Sequence, residues 1–280
     1  MKTRIISGAV FVAVIVAVMC FMNTVALPIF LAFICGLAVF ELNRAAGTKK
    51  EIAAVSVLVA AYIPFEIKYN LLHSSLVFAV LAVYVIAMLI MMVKWHGKVK
   101  FEQVAIAIFC SLAVPESLGC WIRLGRWQDL FSSSPTSAYG YYLVIFAMCC
   151  AWLSDTFAYF TGVFFGKHKM TPVVSPKKTW EGAIGGVLLT AALNVGVYFL
   201  FDAKFFPQDF LLWDWWMVIP ISIVLSIVSI LGDLSASVIK RGYGIKDYGK
   251  IMPGHGGIMD RFDSALFVFP TLYAIVSVIN

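Results

Sequence analysis

From Ser75 to Val93 the chain reads SLVFAVLAVYVIAMLIMMV without a charged side chain. A stretch of this kind crosses about 30 Å of hydrocarbon as a helix of roughly 20 residues. Comparable apolar stretches fall at 5–22, 24–42, 52–67, 103–122, 141–161, 182–201, 214–232 and 263–279. With 62% hydrophobic and 13% charged residues in 280, and a mean hydropathy of +0.93, no water-soluble core could hide this much apolar surface. Lipid must solvate it. Backbone groups in lipid bond within their own segment, so the spans are read as helices. The expectation is an all-α integral membrane protein, polytopic, with about nine transmembrane helices. The third stretch, IAAVSVLVAAYIPFEI, is the shortest, and the fifth is interrupted by Pro115 and Glu116. Pro28, Pro64, Pro115, Pro220 and Pro270 read as kinks.

The basic residues orient these spans, because lysine and arginine in short loops stay on the cytoplasmic side. Placing the N-terminus inside and the C-terminus outside gathers Lys2 and Arg4; Arg44, Lys49 and Lys50; Lys94, Lys98 and Lys100; Lys167, Lys169, Lys177 and Lys178; and Lys240, Arg241, Lys246, Lys250 and Arg261 on one face. Of the 21 lysines and arginines, only Lys68, Arg123, Arg126 and Lys204 remain on the other. Trp213, Trp215 and Trp216 suit an outer interface belt. MKTRIISGAVFVAVIVAVMC is signal-like but lacks a small-x-small cleavage site, so it is read as a retained first helix. Cys20, Cys35, Cys110, Cys120, Cys149 and Cys150 lie in apolar spans without metal or redox spacing and are read as packing residues. The formal charge of +6 follows from the inner loops, which meet anionic head groups. No basic face interleaved with aromatic residues is visible, which argues against nucleic acid as a partner.

Reactive side chains are concentrated in the second half. Residues 1–140 hold five spans with short loops, whereas 141–280 carry two polar cytoplasmic-side loops, 162–181 and 233–263. Asp233 closes the eighth span. Asp260 and Asp263 open the ninth, three apart and therefore on one face of a helix. Acids at a membrane boundary face a cavity or a partner. Two readings remain open: ion pairs with Lys240, Arg241 or Arg261, and a cation site in which Mg2+ takes a few carboxylate oxygens and leaves its other positions to water and phosphates.

Around His255, the residues Pro253, Gly254, Gly256 and Gly257 form a loop whose N–H groups can approach an anion, with Lys246 and Lys250 nearby. A tight turn re-entering the membrane is the alternative. SPKKTWEG, 175–182, puts Lys177 and Lys178 in a rigid turn with Ser175 and Thr179 as donors, or simply anchors the inner face. Asp155, with Tyr159 and Gly162 at following turns, offers another wall or is simply a helix-end acid. GVFFGKH is one residue short of a phosphate-binding P-loop, and GYGIKD lacks a dinucleotide fingerprint's third glycine. Glu41, Glu66 and Glu116 are read as making local hydrogen bonds rather than marking an ion path. Carboxylates for a divalent ion, several cations and a glycine loop are the parts of phosphoryl or nucleotidyl transfer, and the membrane makes the acceptor a lipid.

SVIKRGYGIKDYGKIMPGHGGIMDRFD, 237–263, resembles the signature of the phosphatidate cytidylyltransferases, the CDP-diacylglycerol synthases. Ser237, Lys240, Arg241, Lys246, Asp247, Gly249, Pro253, His255, Gly256, Gly257, Asp260, Arg261 and Asp263 fall in register, and Met252 is a conservative departure. SPKKTWEG, the Asp155, Tyr159 and Gly162 spacing, and Gly232-Asp233 also resemble that family.

The resemblance implies transfer of CMP from CTP to phosphatidic acid, giving CDP-diacylglycerol and pyrophosphate for phospholipid synthesis, with Mg2+ required and a second metal left open. It implies Asp233, Asp260 and Asp263 as metal ligands. Lys240 and Arg261 join them in catalysis. Ser175, Lys177, Lys178, Ser237, Arg241, Lys246, Asp247, Gly254, His255, Gly256, Gly257 and Asp155 are left to bind substrate. The setting implied is a bacterial inner membrane with the site on its cytoplasmic face, among membrane lipids, with room for a homo-oligomer. A CTP-dependent polyprenol kinase and an ion-coupled transporter are the alternatives.

Overall fold

The computed structural model describes residues 2–126, 138–205, 214–252, 254 and 256–279, without the side chains of 2–5, 138 and 203–205. Pro253, His255 and Trp213 therefore lie outside the described residues, as do the side chains of Lys2, Arg4 and Lys204. The helices are α1 (Lys2–Cys20), α2 (Ala26–Ala45), α3 (Lys50–Tyr69), α4 (Ser74–Lys94), α5 (Phe101–Gly125), α6 (Ala138–Met148), α7 (Ser154–Phe165), α8 (Trp180–Phe205), α9 (Trp215–Gly242), α10 (Met259–Phe262) and α11 (Ala265–Ile279). A π-helical turn, Cys149–Leu153, joins α6 to α7. Among the described residues, eight helical runs are long and apolar enough to cross a membrane, and Ile6–Cys20 is a shorter apolar helix. The protein is an all-α polytopic membrane protein.

The third span reaches twenty residues by taking in Lys50, Glu51, Lys68 and Tyr69. Glu51 in its first turn and Lys68 in its last complement the helix dipole, which is why charged ends extend rather than end it. The fifth span runs through Pro115 and Glu116 as one helix. Pro64, Pro220 and Pro270 likewise sit inside their helices. Pro28 occupies the third position of α2, where the missing N–H has no intrahelical partner to lose.

The chain divides into two compact units: Met1–Ile122 with Gly242–Arg261, and Arg123–Arg241 with Phe262–Asn280. In the first, Ile52 of α3 packs with Tyr84 and Met88 of α4 and with Val104 and Ala107 of α5. Lipid tails are as apolar as these side chains, so close packing and buried hydrogen bonds hold the helices together. Asn43 Nδ2 donates to Ser56 Oγ at 3.0 Å between α2 and α3. Tyr84 and Ser111 share a hydroxyl bond of 2.6 Å between α4 and α5. Each is worth about 0.6 kcal/mol in a membrane setting. Helix α4 buries only Tyr84 and Met88 and exposes Phe78, Val83 and Val93, a surface that only lipid solvates well.

In the second unit α7 packs along α8, and a short antiparallel hairpin lies between them in sequence, β1 (Lys169–Thr171) with β2 (Ser175–Thr179). SPKKT is thus a strand, where the sequence suggested a turn. Its partner is β1, in the register Lys169 to Thr179 and Thr171 to Ser175. Glu181 fastens the entry to β1: its carboxylate accepts the Lys167 N–H at 3.1 Å and meets His168 Nδ1 at 2.5 Å.

Candidate functional site

In the second unit three carboxylates from separate segments gather round one lysine. Asp155 sits on α7 directly after the π-helical turn, Asp233 near the end of α9, and Asp263 in the turn between α10 and α11. Single π turns inside α-helices are frequent at functional sites. Lys178 Nζ lies 2.5 Å from Asp233 Oδ2 and 3.7 Å from Asp155 Oδ1. On β2 Lys177 is exposed while Lys178 is half-buried. Burial works against the Lys178 charge, but the carboxylates of Asp233 and Asp155 outweigh it and hold the ammonium above the ordinary lysine value.

Asp263 is buried and accepts the Ser264 N–H at 2.8 Å. Lys240, also buried, interacts with it electrostatically. Ser264 Oγ reaches Asp155 Oδ2 at 3.4 Å and Ser229 O at 3.2 Å, tying α7 and α9 to the turn before α11. Gly232 permits this approach. A Cβ there would stand 3.0 Å from Asp263 O and 2.9 Å from the Phe267 ring, so only glycine lets α9 bring Asp233 beside that turn.

The first unit holds a different arrangement, built on the loop 243–258. Asp260 Oδ2 accepts the N–H groups of Tyr248 at 2.8 Å and Gly257 at 2.9 Å. Met252 N donates to Gly256 O at 3.0 Å and closes the tip. Gly254 and Gly256 adopt φ of 77° and 87°, the left-handed region that a side chain disfavours. Below the loop, Glu41 of α2 is fully buried and accepts the Met259 N–H at 2.9 Å. Arg44, one turn on, donates to Tyr248 O at 2.5 Å.

Comparison with known proteins places this architecture. The model of a family described as the cytidylyltransferase family matches residues 2–279. The chain belongs to the cytidylyltransferase family. It is 43% identical over 137 residues to a phosphatidate cytidylyltransferase of Staphylococcus haemolyticus (strain JCSC1435), covering 49% of this chain and 50% of the relative. Proteins of the same name from Staphylococcus aureus (strain COL) and Staphylococcus epidermidis (strain ATCC 35984) are 41% and 44% identical over the same length. The match thus spans about half the length of the curated relatives.

Against that family background, the residues expected from sequence separate into two groups. Asp155, Lys178, Asp233, Lys240 and Asp263 come together in the second unit. Ser237, half-buried, follows Asp233 by one turn of α9, and Arg241 Nε donates to Val174 O at 3.4 Å, tying the end of that helix to the hairpin. Ser175 lies paired on β2, and Tyr159 is exposed on α7. Gly254, Gly256, Gly257, Asp260 and Arg261 belong to the first unit, as do Lys246 and Asp247, both exposed.

Asp263 lies outside the helix that carries Asp260. Helix α10 ends at Phe262 after one turn, and Asp263 and Ser264 form the break before α11. The Asp263 carboxylate bonds to the Ser264 N–H, and such local bonding competes with helix continuation.

One of the three acids in apolar spans departs from the local bonding read for it. Glu66 does bond locally, accepting from Tyr62 OH at 2.8 Å and Leu72 N at 3.2 Å. Glu41 instead bonds a residue 218 positions away, and Glu116 lines an apolar groove with Leu89, Phe101 and Phe109. An acid inside a span, with Arg44 one turn beyond, was the available signal for Glu41.

Oxygen donors suit a hard cation such as Mg2+, and Asp155, Asp233 and Asp263 outnumber Lys178 and Lys240, leaving the cluster formally anionic. Among the described residues no three acidic, histidine or cysteine side chains stand close enough to grip one ion by themselves. An ion held there would have to complete its shell with water and substrate phosphate.

Proposed function

We propose that the chain transfers CMP from CTP to phosphatidic acid, yielding CDP-diacylglycerol and pyrophosphate. The gathering of Asp155, Asp233 and Asp263 round Lys178 carries this reading, in a chain of a family whose curated relatives are named for that activity. We assign the chemistry to residues 141–280, with residues 1–140 supporting the glycine loop. The setting proposed is a bacterial inner membrane, with the N-terminus and the site on the cytoplasmic side, where CTP is present.

The phosphatidate head group is an anion near neutral pH, so no base is needed to activate it. One of its oxygens forms a bond to the α-phosphorus of CTP, the bond from that phosphorus to the bridging oxygen breaks, and pyrophosphate leaves with the electron pair. Repulsion between two polyanions is the obstacle. A bound Mg2+, held by Asp233 and Asp263 with Asp155 beside them, would neutralise phosphate oxygens. Lys178 and Lys240 hold positive charge in fixed positions against the same substrates, where it need not reorganise as the reaction proceeds. Exposed Lys177 adds a mobile cation. The glycine loop offers backbone N–H groups to phosphate, with Lys246 and Arg261 near it in sequence.

The test uses the full chain in vesicles containing phosphatidic acid, with CTP labelled in turn at the α- and γ-phosphorus. Label from the α-position entering lipid is the expected outcome. Transfer of γ-label instead identifies a lipid kinase, and no transfer of either supports transport.

A further inference from the structure

We propose that Glu41, on a helix far from the reactive carboxylates in sequence, is a positioning residue that holds the glycine loop in the shape that receives nucleotide phosphates. The inference rests on the cytidylyl-transfer reading for its ligand, but its geometry stands independently. Glu41 is 0% exposed within a membrane-spanning helix. A carboxylate buried there is costly unless every bond it makes is needed.

Its Oε2 accepts the Met259 N–H at 2.9 Å, and its Oε1 is buried without a hydrogen-bond partner among the described residues. The α-carbons of Gly249 and Gly257 press on its oxygens so closely that a Cβ at either position would collide with them. One face of the loop root is thus seated on Glu41, while Arg44 holds Tyr248 O. Asp260 binds Tyr248 N and Gly257 N. The root is fixed from both sides, and Gly254 at the tip stays exposed.

This division assigns a role to the first unit. Charge-assisted bonds to backbone N–H groups are about twice as strong as neutral ones, so a carboxylate under the loop fixes it more firmly than an amide or an apolar side chain. A ligand that needs the ordered loop then binds without first ordering it.

The test compares Glu41→Ala and Glu41→Gln with the wild-type chain by amide hydrogen exchange over residues 248–260 and by steady-state kinetics. In Glu41→Ala, exchange in this segment should quicken by about tenfold or more. KM for CTP should rise about tenfold, while kcat and KM for phosphatidic acid stay within about twofold. Glu41→Gln keeps an acceptor for the Met259 N–H and should fall between the two.

Unchanged loop exchange in Glu41→Ala, or a loss confined to kcat with KM for CTP unmoved, would overturn the inference. If the wild-type chain transfers no α-label at all, the cytidylyl-transfer reading fails. The exchange comparison then decides the positioning role without it: faster exchange in Glu41→Ala upholds the clamp, and equal exchange removes it.

Discussion

The carboxylate cluster of the second unit and the glycine loop of the first both depend on acidic side chains, yet they use them in opposite ways. Asp155, Asp233 and Asp263 face the cations Lys178 and Lys240. Glu41 and Asp260 face backbone N–H groups. The first arrangement keeps charge available to an incoming ligand, because an ion pair can be remade with a phosphate or a metal ion. The second consumes charge to hold a shape. Acids in a membrane protein therefore need to be sorted by partner before a role is given to them.

The largest effect that could break this comparison is expected at the charge-bearing acids. Asp233→Asn and Asp263→Asn should each lower kcat by about 10²-fold or more with normal membrane insertion, read as α-label transfer per inserted protein. Near-normal turnover in either would move that acid to the shape-holding class. Gly232→Ala comes next. Its new Cβ meets Asp263 O and the Phe267 ring, so activity should fall about tenfold and stability by about 1–3 kcal/mol, the usual cost of overpacking, as measured by thermal unfolding in detergent.

Lys178→Ala should raise KM for CTP about tenfold and change kcat by less than about threefold, because it removes a binding charge that is present before and during the reaction. An effect confined to expression or orientation would make Lys178 an anchor. Its raised pKa also has a sign. The stability it contributes is fully present below the unfolded lysine value of about 10.4 and is lost as pH rises through the folded value. The difference in melting temperature between wild type and Lys178→Ala should therefore shrink only above about pH 10.4.

The smallest effect is the control. Glu66→Gln alters an acid bonded to Tyr62 and Leu72 within its own neighbourhood and should change transfer by less than about twofold, within the range of ordinary surface substitutions.

How far these two regions could be read from sequence follows from the range of the forces involved. The spans were legible because lipid demands unbroken apolar runs, and the ends of the third were missed because charges that suit a helix dipole look like loop residues. Asp233 and Asp263 were legible through their motif. The choice of Lys178 over Lys177 was not, since it depends on the irregular register of a hairpin whose partner is Lys169–Thr171. Glu41 was visible as an acid in a span, but its partner stands 218 positions away. The π-helical turn before Asp155 left no local mark in CCAWL, and the break at Asp263 is made by its own side chain rather than by a glycine or proline.

The central claim, that charge gathered at Asp233 serves the phosphates of the reaction, is tested most directly by titrating Mg2+ against α-label incorporation from CTP into phosphatidic acid, in wild type and Asp233→Asn. The account predicts saturable Mg2+ dependence in the wild type and, in the variant, a loss of about 10²-fold or more that added Mg2+ does not restore to the wild-type rate. Equal incorporation by both proteins along the same Mg2+ curve would contradict it.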